Sequence, residues 1–104
     1  MFSFLKNLLM KERLDYTDLK ERGVIIIDVR TPQEFQQGHM EGSINIPLNE
    51  IMDKIAKIKQ FKKPIITCCR SGMRSAKAKT TLTKAGIEVY NGGSWNKVKS
   101  SMLA

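Results

Sequence analysis

Apolar and polar positions along the chain follow two rhythms. "VIIIDV" (Val24 to Val29) is β-branched and apolar on both faces, as a buried parallel strand should be. "SINIPL" (Ser43 to Leu48), "PIITC" (Pro64 to Cys68) and "IEVYN" (Ile87 to Asn91) read as three more strands. The segments between them have helical spacing. "YTDLKERG" predicts a short helix stopped by Gly23. In "TPQEF", Thr31 can cap, Pro32 takes the first helical position and Glu34 completes a capping box, for a short helix ending near Gly38. In "NEIMDKIAKI", Asn49 is a candidate cap, and Ile51, Ile55 and Ile58 form one apolar face. "RSAKAKTTLTKAG" predicts a helix stopped by Gly86, with Ala78, Leu82 and Ala85 as its buried stripe. The last helix is capped by Ser94 and turns Trp95, Val98 and Met102 to one side.

Strands alternating with helices at this spacing predict an α/β domain. Its sheet is mostly parallel, with helices on both faces. Four strands are clear, and a weak signal at Leu14–Tyr16 would add a fifth. The 104 residues suit one domain, 1–104, with residues 1–13 as an N-terminal amphipathic extension. That apolar start has no basic n-region and no small-residue cleavage site, so it does not read as a signal peptide. No stretch reaches the ~18 apolar residues of a membrane span.

Charge is unevenly spread. Residues 1–53 hold six Lys/Arg against nine Asp/Glu, which leaves −3. Residues 54–104 hold twelve Lys/Arg against Glu88 alone, which leaves +11. The basic half suits an anionic small substrate or an acidic partner. It does not suit nucleic acid, because Phe61, Tyr90 and Trp95 are not interleaved with the lysines and no nucleic-acid motif occurs. The lysines at 54, 57, 59, 62 and 63 read as a solvated face, with docking of an acidic partner protein as the alternative.

The chemistry concentrates in "ITCCRSGMRSAKA" (Ile66 to Ala78). Two neighbouring cysteines make no disulfide framework, and no second Cys or His cluster supplies a four-ligand metal site. The chain reads as reduced and cytoplasmic. Cys69 ends a strand at the edge where ligands bind in such sheets, just before a helix N-terminus. The backbone N–H groups of the following loop, the helix dipole, and Arg70 and Arg74 all favour its thiolate. Gly72 lets the loop turn tightly. Cys68 points to the other side of the strand. It reads as core, with a resolving or relay thiol as the alternative. From Cys69 to Arg74 the spacing is C-x4-R, and from Cys68 it is C-x5-R. The longer spacing resembles the phosphate loop of cysteine-dependent phosphatases, which usually have His where this chain has Thr67. The competing readings are therefore a phosphatase or arsenate reductase using Cys68 or Cys69, and a non-enzymatic module that binds an acidic partner.

"DVRTPQEFQQGHMEGSINIPL", "CRSGMRS" and "VYNGGSW" together resemble the single-domain rhodanese-like sulfurtransferases. The resemblance runs from about Asp15 to Met102. It implies a three-layer α/β/α sandwich around a parallel sheet. It also implies that Cys69 takes a sulfane sulfur from an anionic donor such as thiosulfate, becomes a persulfide and passes the sulfur to a thiol or cyanide. Arg70, Ser71, Gly72, Met73, Arg74 and Ser75 would line the substrate. No metal or organic cofactor is implied. Around the loop, Asp28 is expected to accept loop N–H bonds, and Arg30 to pair with a carboxylate such as Glu34. His39 is expected to hold the "GHMEG" turn by a hydrogen bond, Met73 either lines the pocket mouth or points away, and Trp95 reads as core. The stretch between the final glycines and Trp95 is shorter than is usual in the family, which leaves that edge of the pocket more open.

Overall fold

The computed structural model describes residues 13–104. The predicted extension over 1–13 lies outside the described residues except for Arg13. Asp15 accepts the Asp18 N–H at 3.0 Å and caps α1 (Tyr16–Glu21). That cap draws Leu14–Tyr16 into a helix start, so the weak fifth strand does not form. β1 (Ile25–Asp28), α2 (Pro32–Gln36) and β2 (Ile44–Asn45) follow. The Thr31–Glu34 capping box is present, with Pro32 opening α2. The strand read over Ser43–Leu48 shrinks to two paired residues.

The helix predicted from Asn49 is broken. Two 3₁₀ turns, Leu48–Glu50 and Met52–Lys54, precede α3 (Ile55–Gln60), and no side chain caps any of them. Ile51 and Ile58 are nonetheless buried in one core cluster, with Ile55 packed against it. β3 (Ile65–Cys69), α4 (Met73–Lys84), β4 (Val89–Ser94) and α5 (Trp95–Leu103) complete the chain. No helix among the described residues is long and apolar enough to cross a membrane.

The four strands are parallel in the order β2-β1-β3-β4. Side chains alternate across the sheet and build two cores. On one face Ile27, Ile65 and Cys69 meet Ile58 of α3 and Ala78 and Leu82 of α4. On the other, Ile26, Ile66 and Cys68 meet Leu19 of α1 and Val98 of α5. This is the three-layer α/β/α arrangement. Cys68 and Cys69 point into opposite layers, as strand geometry requires.

β4 begins two residues later than predicted and runs through the glycines. Its pairing with β3 shifts register between Thr67 and Cys69. Gly92 makes this passage possible, because a Cβ there would sit 2.5 Å from Val98 Cγ2 and 2.7 Å from Ile66 Cγ2. A "GG" pair that reads as loop is here a bulge that carries the strand past a crowded spot.

Candidate active site

β3 delivers Cys69 to the carboxyl edge of the sheet, and the chain turns over its sulfur to start α4. Gly72 adopts φ +100°, a conformation open to glycine. Its N–H points back at Cys69 Sγ at 3.0 Å, and Ser75 Oγ lies 3.4 Å from the same sulfur. Burial pushes the thiol up. Hydrogen bonds from the Ser75 hydroxyl and from the N–H groups of Ser75, Gly72 and Ser71 outweigh it, so Cys69 is held below the ordinary thiol value. The residue is only 1% exposed, so the sulfur sits at the floor of the turn.

Cys68 has the opposite character. Burial pushes its thiol up, and the charge of Asp28, its partner across the sheet, adds to the rise. It faces away from the loop, in the layer of Leu19 and Val98.

The arginines divide their duties differently from the expectation. Arg30 pairs with a carboxylate, as expected, but with Asp28 and not with Glu34. It clasps buried Asp28, with Nε 3.0 Å from both oxygens and Nη2 2.7 Å from Oδ2. It also donates to the carbonyls of Glu34 and Gly38, and lies 4.9 Å over the Trp95 ring. Asp28 accepts the Arg30 N–H at 3.0 Å, the loop bond expected of it. The Glu34 carboxylate instead takes both ends of Arg74, at 2.7 and 3.0 Å. Arg74 is therefore an internal strap from α4 to α2. Arg70 has no acceptor among the described residues and is exposed. It borders a cleft of about 380 Å³ lined by Arg30, Glu34, Gln37, Gly38, Trp95 and Asn96. Trp95 thus packs in the core and also forms a wall of this cleft.

Met73 is 74% exposed and is not part of that lining. His39 Nδ1 lies 2.7 Å from the Phe35 carbonyl and its ring stacks on Phe35, a structural position. Thr67 is buried and donates to the Ser75 carbonyl at 2.9 Å, bracing the start of α4.

The residue that sequence reading passed over is Asn91. Its Oδ1 accepts from Ser75 Oγ at 2.6 Å and from the Gly93 N–H at 2.9 Å, and its Nδ2 donates to the Gly72 carbonyl at 3.1 Å. Asn91 bolts both ends of the turn to β4. A polar amide inside a strand, just before two glycines, was the available signal.

A parallel α/β/α sheet that ends on a cysteine under an amide-lined turn, at the head of a helix, defines a class of proteins with a cysteine-centred loop. Residues 10–101 match the model of the Rhodanese-like domain, and the chain belongs to that family. It is 42% identical over 67 residues to the uncharacterized protein YqhL of Bacillus subtilis, covering 64% of this chain and 52% of that protein. The chain thus spans about half the length of that relative. It is 41% identical over 69 residues to the thiosulfate sulfurtransferase PspE of Escherichia coli K12, covering 64% of this chain and 66% of that one. Among solved structures, a rhodanese with anions from E. coli superposes with a TM-score of 0.67 at 36% identity, over 72% of this chain and 91% of that one.

Proposed function

We propose that this protein is a sulfurtransferase in which Cys69 carries the sulfur as a persulfide. The observation that carries this reading is the turn itself. The Gly72 N–H donates to the Cys69 sulfur at 3.0 Å, the Ser75 hydroxyl oxygen lies 3.4 Å from it, and the hydrogen bonds of the turn favour its anion. The thiolate attacks the outer sulfur of a donor such as thiosulfate. A new S–S bond forms to Cys69, the donor's own S–S bond breaks, and its electron pair leaves with sulfite. An acceptor thiolate or cyanide then attacks the outer sulfur of the persulfide and frees Cys69 as the thiolate. Arg70, without an acceptor among the described residues, is a cation available to the donor's oxygens. Ser71, Gly72 and Ser75 surround the bound sulfur.

Two earlier alternatives lose ground. A phosphatase built on Cys68 needs that thiol in the loop, and Cys68 is buried in the opposite layer with its ionisation suppressed. Of the lysines at 54, 57, 59, 62 and 63 read as a docking face for an acidic sulfur carrier, Lys59, Lys62 and Lys63 sit at the wrong end of the sheet. These lysines line a cleft with Arg22 and Pro64, where β3 begins, and Cys69 stands where it ends.

Mass spectrometry after exposure to thiosulfate tests the reading. The wild type should gain about 32 Da, one sulfur. Cyanide should remove it as thiocyanate, and Cys69→Ser should show neither event. A wild type that takes no sulfur from thiosulfate or from a low-molecular-weight persulfide overturns it.

A further inference from the structure

Ser75 has one hydroxyl proton and two claimants. Its Oγ lies 2.6 Å from Asn91 Oδ1 and 3.4 Å from Cys69 Sγ. Oδ1 has no proton to give, so the short contact requires Ser75 to be the donor. In that arrangement the Cys69 contact can persist only with the thiol S–H donating to Ser75 Oγ. This arrangement fits a neutral sulfur. A thiolate has no proton to offer and is stabilised by receiving one, so the Ser75 O–H must turn toward it. Asn91 Oδ1 is not stranded by that rotation, because the Gly93 N–H still donates to it at 2.9 Å.

We propose that Asn91 is a positioning residue that competes with Cys69 for the Ser75 hydroxyl proton, holding it while the sulfur is neutral and yielding it when the sulfur is anionic. No oxidation or bond exchange is involved. The Cys69 proton leaves to solvent and the Ser75 proton stays on its oxygen, changing only its acceptor. When Cys69 sulfur becomes the inner, uncharged atom of a persulfide, the hydroxyl returns to Asn91. Asn91 thus gives the hydroxyl a place to go at each half of the cycle. Its Nδ2 meanwhile fixes the Gly72 carbonyl at 3.1 Å, so the competing acceptor and the turn move as one body. This inference rests on the proposed role of Cys69, yet the proton competition itself can be read without any sulfur transfer.

The test is the pH profile of Cys69 alkylation by iodoacetamide, in a Cys68→Ala background so that one thiol reports. Three substitutions are compared: Asn91→Ala, Asn91→Asp and Ser75→Ala. The charged and titratable groups around the loop are Cys68 on β3, Asp28 and Arg30 at the end of β1, Glu34 on α2, Arg70 in the turn and Arg74 on α4. Beyond the background change at Cys68 none of these is altered, and Asn91→Asp adds one carboxylate, whose direct charge effect would persist in Ser75→Ala while a competition for the hydroxyl proton would not. Asn91→Ala removes the competitor, so the midpoint should fall by about half to one pH, the worth of one hydrogen bond. Asn91→Asp offers Ser75 a stronger acceptor, so the midpoint should rise. Ser75→Ala should also raise it, and should abolish most of the difference between the two Asn91 variants, the non-additivity expected of a shared proton.

A purely structural anchor would behave otherwise. Loosening the turn would raise the midpoint in Asn91→Ala and Asn91→Asp alike, and the Asn91 effects would survive in Ser75→Ala. Either result overturns the proposal. Thermal melts of each variant identify any that fails to fold. Should Asn91→Ala be one, the Asn91→Asp profile with and without Ser75 still decides. Failure of sulfur loading with the opposite-signed midpoints intact would count against the proposed function and not against the proton competition.

Discussion

Glu34 and Arg74, 40 residues apart in sequence, meet in a two-pronged ion pair, Nη1 at 2.7 Å from Oε1 and Nη2 at 3.0 Å from Oε2. The same carboxylate closes the cap of α2, accepting the Thr31 N–H at 3.0 Å. One side chain therefore ties the helix after β1 to the helix after β3, across the mouth of the turn. It also neutralises the arginine that the family resemblance implied would line the substrate.

Glu34→Gln should release Arg74 toward the loop. With a second free cation beside Arg70, the KM for thiosulfate should fall, by roughly two- to fivefold given the modest worth of a partly exposed pair. Steady-state kinetics with thiosulfate and cyanide check this. A higher KM would mean that the strap's role in shaping the turn outweighs the charge it removes.

The same carboxylate makes stability depend on acid. The Arg74 guanidinium, and then the Thr31 N–H, hold Glu34 down to about 2. Glu88 is likewise held down to about 2 by Arg22 and then by the Tyr90 hydroxyl. A carboxylate depressed in the fold contributes stability above its unfolded value of about 4.3, and that contribution is lost as pH falls through the folded value. The window is therefore about pH 5 to 2. Solvent screening keeps the effect modest, since these side chains are 30% and 40% exposed. Urea midpoints across that range should drop in the wild type and drop less in Glu34→Gln/Glu88→Gln. Equal slopes would show that neither pair contributes.

Cys68 and Cys69 occupy adjacent positions and opposite chemistries, and Cys68→Ala separates them. The substitution leaves the turn untouched, so sulfur loading should stay within about twofold of wild type, while a lost core sulfur costs about 1–2 kcal/mol. A second signature concerns alkali. A thiol raised by burial opposes ionisation in the fold, so it lowers stability as pH climbs past the unfolded thiol value of about 8.5. That alkaline loss should shrink in the variant, as denaturation at pH 7 and 10 would show. Loss of the persulfide in Cys68→Ala would instead make the pair a relay.

The parts of this site that were legible in the sequence are those the chain keeps contiguous. Cys69, Arg70, Ser71, Gly72 and Ser75 fall within one turn, and a turn before a helix has predictable amide directions. Asn91 and Glu34 reach it from other elements, and pairing between side chains far apart in sequence leaves no local pattern. Glu34 was visible as a cap, which is a local relation, and invisible as the partner of Arg74. Arg30 was expected to pair with a carboxylate such as Glu34, and it does pair with one, but with the nearer Asp28, which is buried and could not be left without a cation. The edges of elements misled for a related reason. Gly92 and Gly93 read as loop because propensity does not register that a side chain at Gly92 would collide with Val98 and Ile66. Asn49 read as a cap, but the chain enters α3 through two 3₁₀ turns that tighten it before any capping bond forms.

Lys62 offers a test of backbone strain at the opposite end of the sheet. It follows α3 with φ +54°, the left-handed conformation that helix ends usually give to glycine, and its N–H donates to the Lys59 carbonyl at 3.2 Å. A side chain there costs about 1 kcal/mol, offset in part by the extra freedom glycine has when unfolded. Lys62→Gly should therefore raise stability by about 0.5 kcal/mol, measured by urea denaturation. Sulfur loading at Cys69 should not change, because Lys62 lines the cleft at the start of β3, not its end. A variant that is less stable would show that the lysine's aliphatic stem, in a cleft also lined by Ile58 and Ile87, stabilises the fold by more than its backbone strains it.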